Sequence, residues 1–155
     1  MLRKGPEQIP DSWLVLLLAV AMMLLSSWVA SSFIDFSEDY SHLLTFVTSV
    51  LGIGIYALVL LATGHLRRFV PVASAVIACG AILSLLFVVT YLLLKPILGA
   101  DLAVVIATLV IIWSIPVEGH IIASGIGRHW YIGIVIAMFV FTAQYAFQSN
   151  MAGRL

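Results

Sequence analysis

The chain has 155 residues, 63% of them hydrophobic and 9% charged, with a formal net charge of zero and a mean hydropathy of +1.20. Soluble globular domains carry about 25% charged residues, so water is not the solvent of this chain. The balanced charge lacks the basic excess that nucleic-acid binding uses. A single cysteine, Cys79, excludes an intrachain disulfide and a multi-cysteine metal cluster.

A transmembrane helix needs about 20 mostly apolar residues to cross a hydrocarbon core about 30 Å thick. Five such stretches occupy nearly the whole chain. The expected fold class is all-α: a polytopic membrane protein folded as a five-helix transmembrane bundle, one domain over residues 1–155, with no room for a separate soluble catalytic domain. In the N-terminal arm Pro10 disfavours helix, and Asp11 or Ser12 can cap one. The first span is expected over 13–34. It is longer than a secretory-signal core and Glu7 and Asp11 lie in its approach, so a retained span is expected rather than a cleaved leader. An acidic loop with Asp35, Glu38 and Asp39 follows, and solvation is expected there rather than a bound cation.

The second span is expected over 43–64, and a basic link with Arg67 and Arg68 leads to Pro71, a residue suited to the first turn of a helix. The third span is expected over 72–94 and ends at Lys95-Pro96, because proline cannot continue the backbone ladder. A brief turn over 97–101 precedes the fourth span, 102–124. A second basic link, with Gly125, Gly127, Arg128 and His129, leads into the fifth span, 130–147, before a polar tail.

Lys and Arg in short loops set orientation. Arg3, Lys4, Arg67, Arg68 and Arg128 fall on one side, against Lys95 and Arg154 on the other, so the N-terminus is expected in the cytoplasm and the C-terminus opposite. Trp13, Phe36, Tyr40, Phe69, Tyr91, Trp130 and Tyr131 fall near span ends, where amphipathic rings favour the headgroup region. Trp28 and Trp113 lie deeper and are expected to fill helix contacts or a cavity wall.

Small residues four apart let helices approach closely in lipid. Ser26 with Ala30, Ser27 with Ser31, Ser74 with Ala78, and Gly80 with Ser84 therefore mark expected contact faces on spans one and three. The two basic links, Gly64 to Phe69 and Gly125 to Trp130, echo each other, as a parallel repeat of two hairpins or a shared requirement for charge at a turn would produce.

Glu118 is the sharpest polar feature, because an ionisable group inside a span costs a few kcal/mol on insertion scales and is placed toward a cavity, a partner or an interface. Pro116, two residues earlier, removes a backbone hydrogen bond and can kink the helix. Ser114 shares the face of Glu118, whereas His120 is turned away by about 200°. The pair therefore makes no ready metal site, and neither a metal nor another cofactor is expected. Two roles stand open for Glu118: a proton or cation relay, or a buried tie to Arg128, His120 or a polar group on another span. Gln144, Thr45, Thr48, Thr63, Thr90 and Thr108 can bond across helices at about 0.6 kcal/mol each.

Five closely spaced spans with an N-terminal cytoplasmic arm and tight loops, together with the run Trp113 to Gly119 followed by Gly125, resemble the Yip1 family of membrane proteins over residues 10–147. The resemblance implies a scaffold in membrane trafficking, acting with small GTPases in eukaryotes, although the long cytosolic N-terminal region of that family has no counterpart here. The expected function is thus that of a non-catalytic scaffold or accessory subunit of a membrane assembly. Its expected partners are the lipid bilayer and another membrane protein or further copies of itself. The alternative is a small transporter or channel subunit that moves protons or cations through Glu118.

Overall fold

The computed structural model describes residues 12–33 and 42–152, so the expectations for the N-terminal arm, for Asp35, Glu38 and Asp39, and for Phe36 and Tyr40 fall outside the described residues. The described residues form five α-helices: α1 Trp13–Phe33, α2 His42–Ala62, α3 Phe69–Leu98, α4 Ala100–Gly125 and α5 Trp130–Ala152, with a 3-10 turn at Leu66–Arg68 leading into α3. The chain is an all-α, multi-pass membrane protein. Four helical segments, α1, α3 with its leading turn, α4 and α5, are long and apolar enough to cross a bilayer, and α2 contributes the apolar stretch Phe46–Ala62. At 1.5 Å per residue the 21 residues of α1 span about 32 Å, close to the hydrocarbon thickness. The 30 residues of α3 span about 45 Å, so α3 tilts or projects beyond it.

Because these helices are apolar on every side, hydropathy does not choose which face turns inward; side-chain size does. α1 lies against α3, α3 against α4, α4 against α5 and α5 against α2, while α2 meets α3 only lightly. The closest approach is between α4 and α5. Gly119 and Ala123 on α4 face Gly133 and Ala137 on α5, all four buried. A Cβ on Gly119 would lie 2.7 Å from the Cα and N of Ile134, and one on Gly133 would strike the carbonyl oxygen of Gly119. The two backbones therefore touch directly. On α4 the fully buried Ala103 and Ala107 receive Tyr91 of α3, and a second cluster joins Tyr56, Leu60, Val72, Ile122, Ile126 and Val140.

Several boundaries differ from the sequence reading. α3 runs through Pro96 to Leu98, and the expected turn over 97–101 shrinks to Gly99. Proline near a C-terminus forfeits one backbone bond of a turn that is ending anyway, and the stop comes from Gly99, whose φ of 81° breaks the helix while its N–H donates to the Lys95 carbonyl at 3.1 Å. α4 likewise passes unbroken through Pro116. α5 continues past Phe147 to Ala152, since Ser149 and Asn150 satisfy themselves on the Ala146 carbonyl and leave the ladder intact.

Three side-chain placements are also corrected. Trp28 and Trp113 fill no contact: they are 71% and 66% exposed on the lipid-facing surface. Lipid is as apolar as a core, so burying a large ring brings little transfer energy, and contact faces go to residues small enough to let backbones meet. Tyr91, expected at the interface, is buried under α4 with the Lys95 ammonium 5.4 Å from its ring centroid. α1 and α3 do pack on each other, but a Cβ on Gly80 would meet nothing within 4 Å, so Gly80 and Ser84 border open space instead of a tight contact.

The echo between the basic links is a shared helix stop. The N–H of His65 donates to the Leu60 carbonyl and that of Gly64 to Leu61; the N–H of Arg128 donates to Ala123 and that of Gly127 to Ser124. Both are Schellman ends with a left-handed glycine, Gly64 at φ 74° and Gly127 at φ 64°. Gly127, not Gly125, is thus the counterpart of Gly64. From the first link the Arg68 guanidinium donates to the Gly125 carbonyl at 3.3 Å, placing positive charge at the C-terminus of α4.

Candidate functional site

Along α2 one buried stripe carries Thr48, Gly52, Tyr56 and Leu60 at four-residue steps. Because α2 packs on α5 and only lightly on α3, while α1 packs on α3, an open cleft remains among the helices. It is a cavity of about 430 Å³ with residues of all five helices on its wall. α1 contributes Ser26 and Ser27, α3 contributes Gly80 and Ser84, and Tyr56, Glu118 and Gln144 supply the larger polar groups.

Two cross-helix hydrogen bonds give this cavity its polarity. The Tyr56 hydroxyl on α2 donates to Glu118 Oε2 on α4 at 2.8 Å. The Gln144 amide on α5 donates to the Thr48 carbonyl on α2 at 3.0 Å. Thr48 and Tyr56 are eight residues apart, so the two tiers lie about 12 Å apart along the helix. Gly52, midway between them, admits the Gln144 side chain, because a Cβ there would collide with its amide.

Two recesses adjoin the cavity. One of about 240 Å³, between α3 and α4, reaches Glu118 beside Ser84 and Ser114. Another of about 230 Å³, between α2 and α5, shares Ser49 and Gln144 with the cavity and extends to Gln148, an exposed residue near the end of α5. Polar side chains thus mark two levels of the cavity, Gln144 and Ser49 with Gln148 toward the end of α5, and Tyr56 with Glu118 deeper.

The structure brings Glu118 and Ser114 together and leaves the other sequence candidates apart. His120 is exposed on another face of α4, and Arg128 is exposed in the link beyond it. Pro116 is half-buried within the continuous helix. Glu118 is tied neither to Arg128 nor to His120 but to a polar group on another span, Tyr56. Tyr56 lies mid-span, away from the span ends where amphipathic rings are expected. A phenol in the middle of an apolar run, with Gly52 and Gly54 just before it, was the available signal, since a buried hydroxyl requires a partner.

Of the expected packing residues, Ser74 and Ala78 lie buried and half-buried on α3, and Ser27 and Ser31 are half-buried on α1. The Ser26, Ser31 and Ser74 hydroxyls donate to carbonyls of their own helices, as do those of Thr63 and Thr108. These hydroxyls thereby spend their donors locally, whereas Gln144 bonds across helices as expected; the side chain of Thr45 falls outside the described residues. Among the described residues no three His, Cys, Asp or Glu side chains gather as a metal site would require. Compared with protein-family models, curated proteins and solved structures, the chain matches none.

Proposed function

We propose that this membrane protein admits a small solute to a largely apolar cavity inside the bilayer that carries one carboxyl group, as a small transporter or channel subunit in which Glu118 holds a proton or a cation. The reading is carried by the Glu118 carboxyl, which lines the 430 Å³ cavity with one oxygen held by Tyr56 and no cationic side chain against it among the described residues. An ionisable group inside a span marks a solute path by default, because its insertion cost is offset only by a partner, water or a bound ion. With the basic links in the cytoplasm, the Gln148 recess opens from the opposite side and the Tyr56–Glu118 tier lies toward the inner leaflet. A second reading, a non-catalytic scaffold or accessory subunit of the kind the Yip1-like layout implies, draws on the exposed apolar faces of α1, α4 and α5. Lipid covers such faces in any bundle, and none of them singles out a protein partner.

The test is flux. Purified protein is reconstituted in vesicles containing a pH-sensitive dye, a potassium diffusion potential is imposed, and proton entry is recorded, with sodium and potassium uptake measured in parallel. Entry above that of protein-free vesicles, lost in Glu118→Gln, is the expected result. Wild-type vesicles no leakier than protein-free ones to all three ions, or undiminished flux in Glu118→Gln, would overturn the reading.

A further inference from the structure

Beyond the general reading of a cation path, the geometry points to a specific class of occupant: we propose that the cavity between the Tyr56–Glu118 and Gln144 tiers binds a bulky organic cation, its charge at Glu118 and its apolar body among the surrounding side chains. This inference rests on Glu118 being the cation-holding group, and it adds what kind of cation the walls accept.

Size comes first. A space of about 430 Å³ lies within the roughly 300 to 1,000 Å³ of pockets that enclose drug-sized molecules. It is far more than a bare metal ion occupies.

The donor set argues in the same direction. A small, strongly hydrated cation gives up its water only to several hard oxygens, typically six to eight for calcium and an octahedron for magnesium. Among the described residues Glu118 is the single carboxylate on the wall, one of its oxygens already accepts from Tyr56, and the other side-chain oxygens there, on Ser26, Ser27, Ser49, Ser84, Tyr56 and Gln144, are uncharged. The remaining wall is mostly apolar and includes Ile53, Val76, Ile77, Phe87 and Ile111. Such a wall offers one charged oxygen donor where a divalent-cation site gathers several, and it suits a delocalised or alkylated cation whose charge is weakly hydrated and whose surface is apolar. Tyr56 and Phe87 are among the lining residues, and aromatic side chains are of the kind that recognises such ions.

Charge completes the case. Glu118 Oε1 has no hydrogen-bond partner among the described residues, yet no side-chain oxygen among them is both buried and unsatisfied, so Oε1 is accessible, and Glu118 lines both the cavity and the recess beside Ser114. A monovalent cation there neutralises the site, whereas an anion of the same shape would be placed against a carboxylate.

The experiment compares two ions of one shape. Binding of tetraphenylphosphonium and of tetraphenylborate to the purified full chain in mild detergent is measured by equilibrium dialysis. The phosphonium is expected to bind at one per chain and the borate not at all. Glu118→Gln, which keeps an oxygen to accept from Tyr56, is expected to weaken phosphonium binding about tenfold or more. Gly80→Leu is expected to abolish it by occupying the space that nothing fills within 4 Å of that position, while Gly54→Leu, at an exposed glycine with open space around it, leaves it unchanged. Equal binding of both ions, or retained affinity in both Glu118→Gln and Gly80→Leu, would overturn the proposal. Proton or alkali-cation flux without phosphonium binding would leave the transport reading standing and remove this one, and binding without flux would do the reverse.

Discussion

Gly119→Ala tests the claim that backbone contact between α4 and α5 holds the bundle together. The added Cβ would lie 2.7 Å from two backbone atoms of Ile134, and ordinary contact begins near 3.4 Å, so the helices must separate by roughly 0.7 Å. Backbone cannot swing aside as a flexible side chain does. A gap of 0.5 to 1 Å forfeits about a quarter to a half of each dispersion contact along the seam, and overpacking of this kind costs about 1 to 3 kcal/mol. Gly54→Ala is the matched control, because its Cβ meets nothing within 4 Å and alanine is favoured over glycine inside a helix by roughly 0.5 to 1 kcal/mol. Unfolding in mixed micelles of rising SDS fraction, followed by far-UV circular dichroism, should place Gly119→Ala below the wild type and Gly54→Ala at or above it, a separation of roughly 1.5 to 4 kcal/mol. Coincident transitions for the two variants would refute the backbone seam.

Three further outcomes are expected. Tyr56→Phe removes the hydroxyl that donates to Glu118; a cross-helix bond in a bilayer averages about 0.6 kcal/mol, so SDS unfolding should move only slightly while ion flux in vesicles changes measurably, and a variant indistinguishable from wild type in flux would detach Tyr56 from function. Gly52→Ala drives the Gln144 amide from its seat, and should match Gln144→Leu in stability with no additional loss in the double variant, as a double-mutant cycle in SDS would read. Arg68→Ala withdraws the guanidinium from the Gly125 carbonyl at the end of α4 and should lower stability by about 0.3 to 1 kcal/mol, an effect that is screened and diminished when the same titration is repeated at high salt.

The helices were legible because apolar length is a direct physical requirement of the bilayer, and every expected span has a helix over most of its extent. The ends were less so: Pro96 was read as a stop, while the stop belongs to Gly99, three residues later, because proline weakens a helix locally whereas a left-handed glycine redirects it. Contact faces were legible only in part. Small residues at four-residue spacing were sought on the spans now seen as α1 and α3, yet the tightest seam uses the same spacing in Gly119 with Ala123 and Gly133 with Ala137. Spacing alone does not say which small residue meets a backbone and which, like Gly80, faces a void. Glu118 was visible as a lone carboxyl in a span, but its partner was not, since Tyr56 lies 62 residues away on a helix that does not follow α4 in sequence. Only the order in which the helices pack brings the two together.

A one-residue link at Gly99 joins α3 to α4, and α4 meets α5 backbone to backbone through paired glycines, so these three helices form one continuous wall. For a guest of the proposed kind the loosest part of the enclosure is α2, which packs on α5 and only lightly on α3, whereas α1 lies against α3 about as extensively as α5 does against α4. The proposed doorway accordingly lies beside α2, and a crosslink pinning α2 to α3 should trap a guest that a crosslink between α4 and α5 would release.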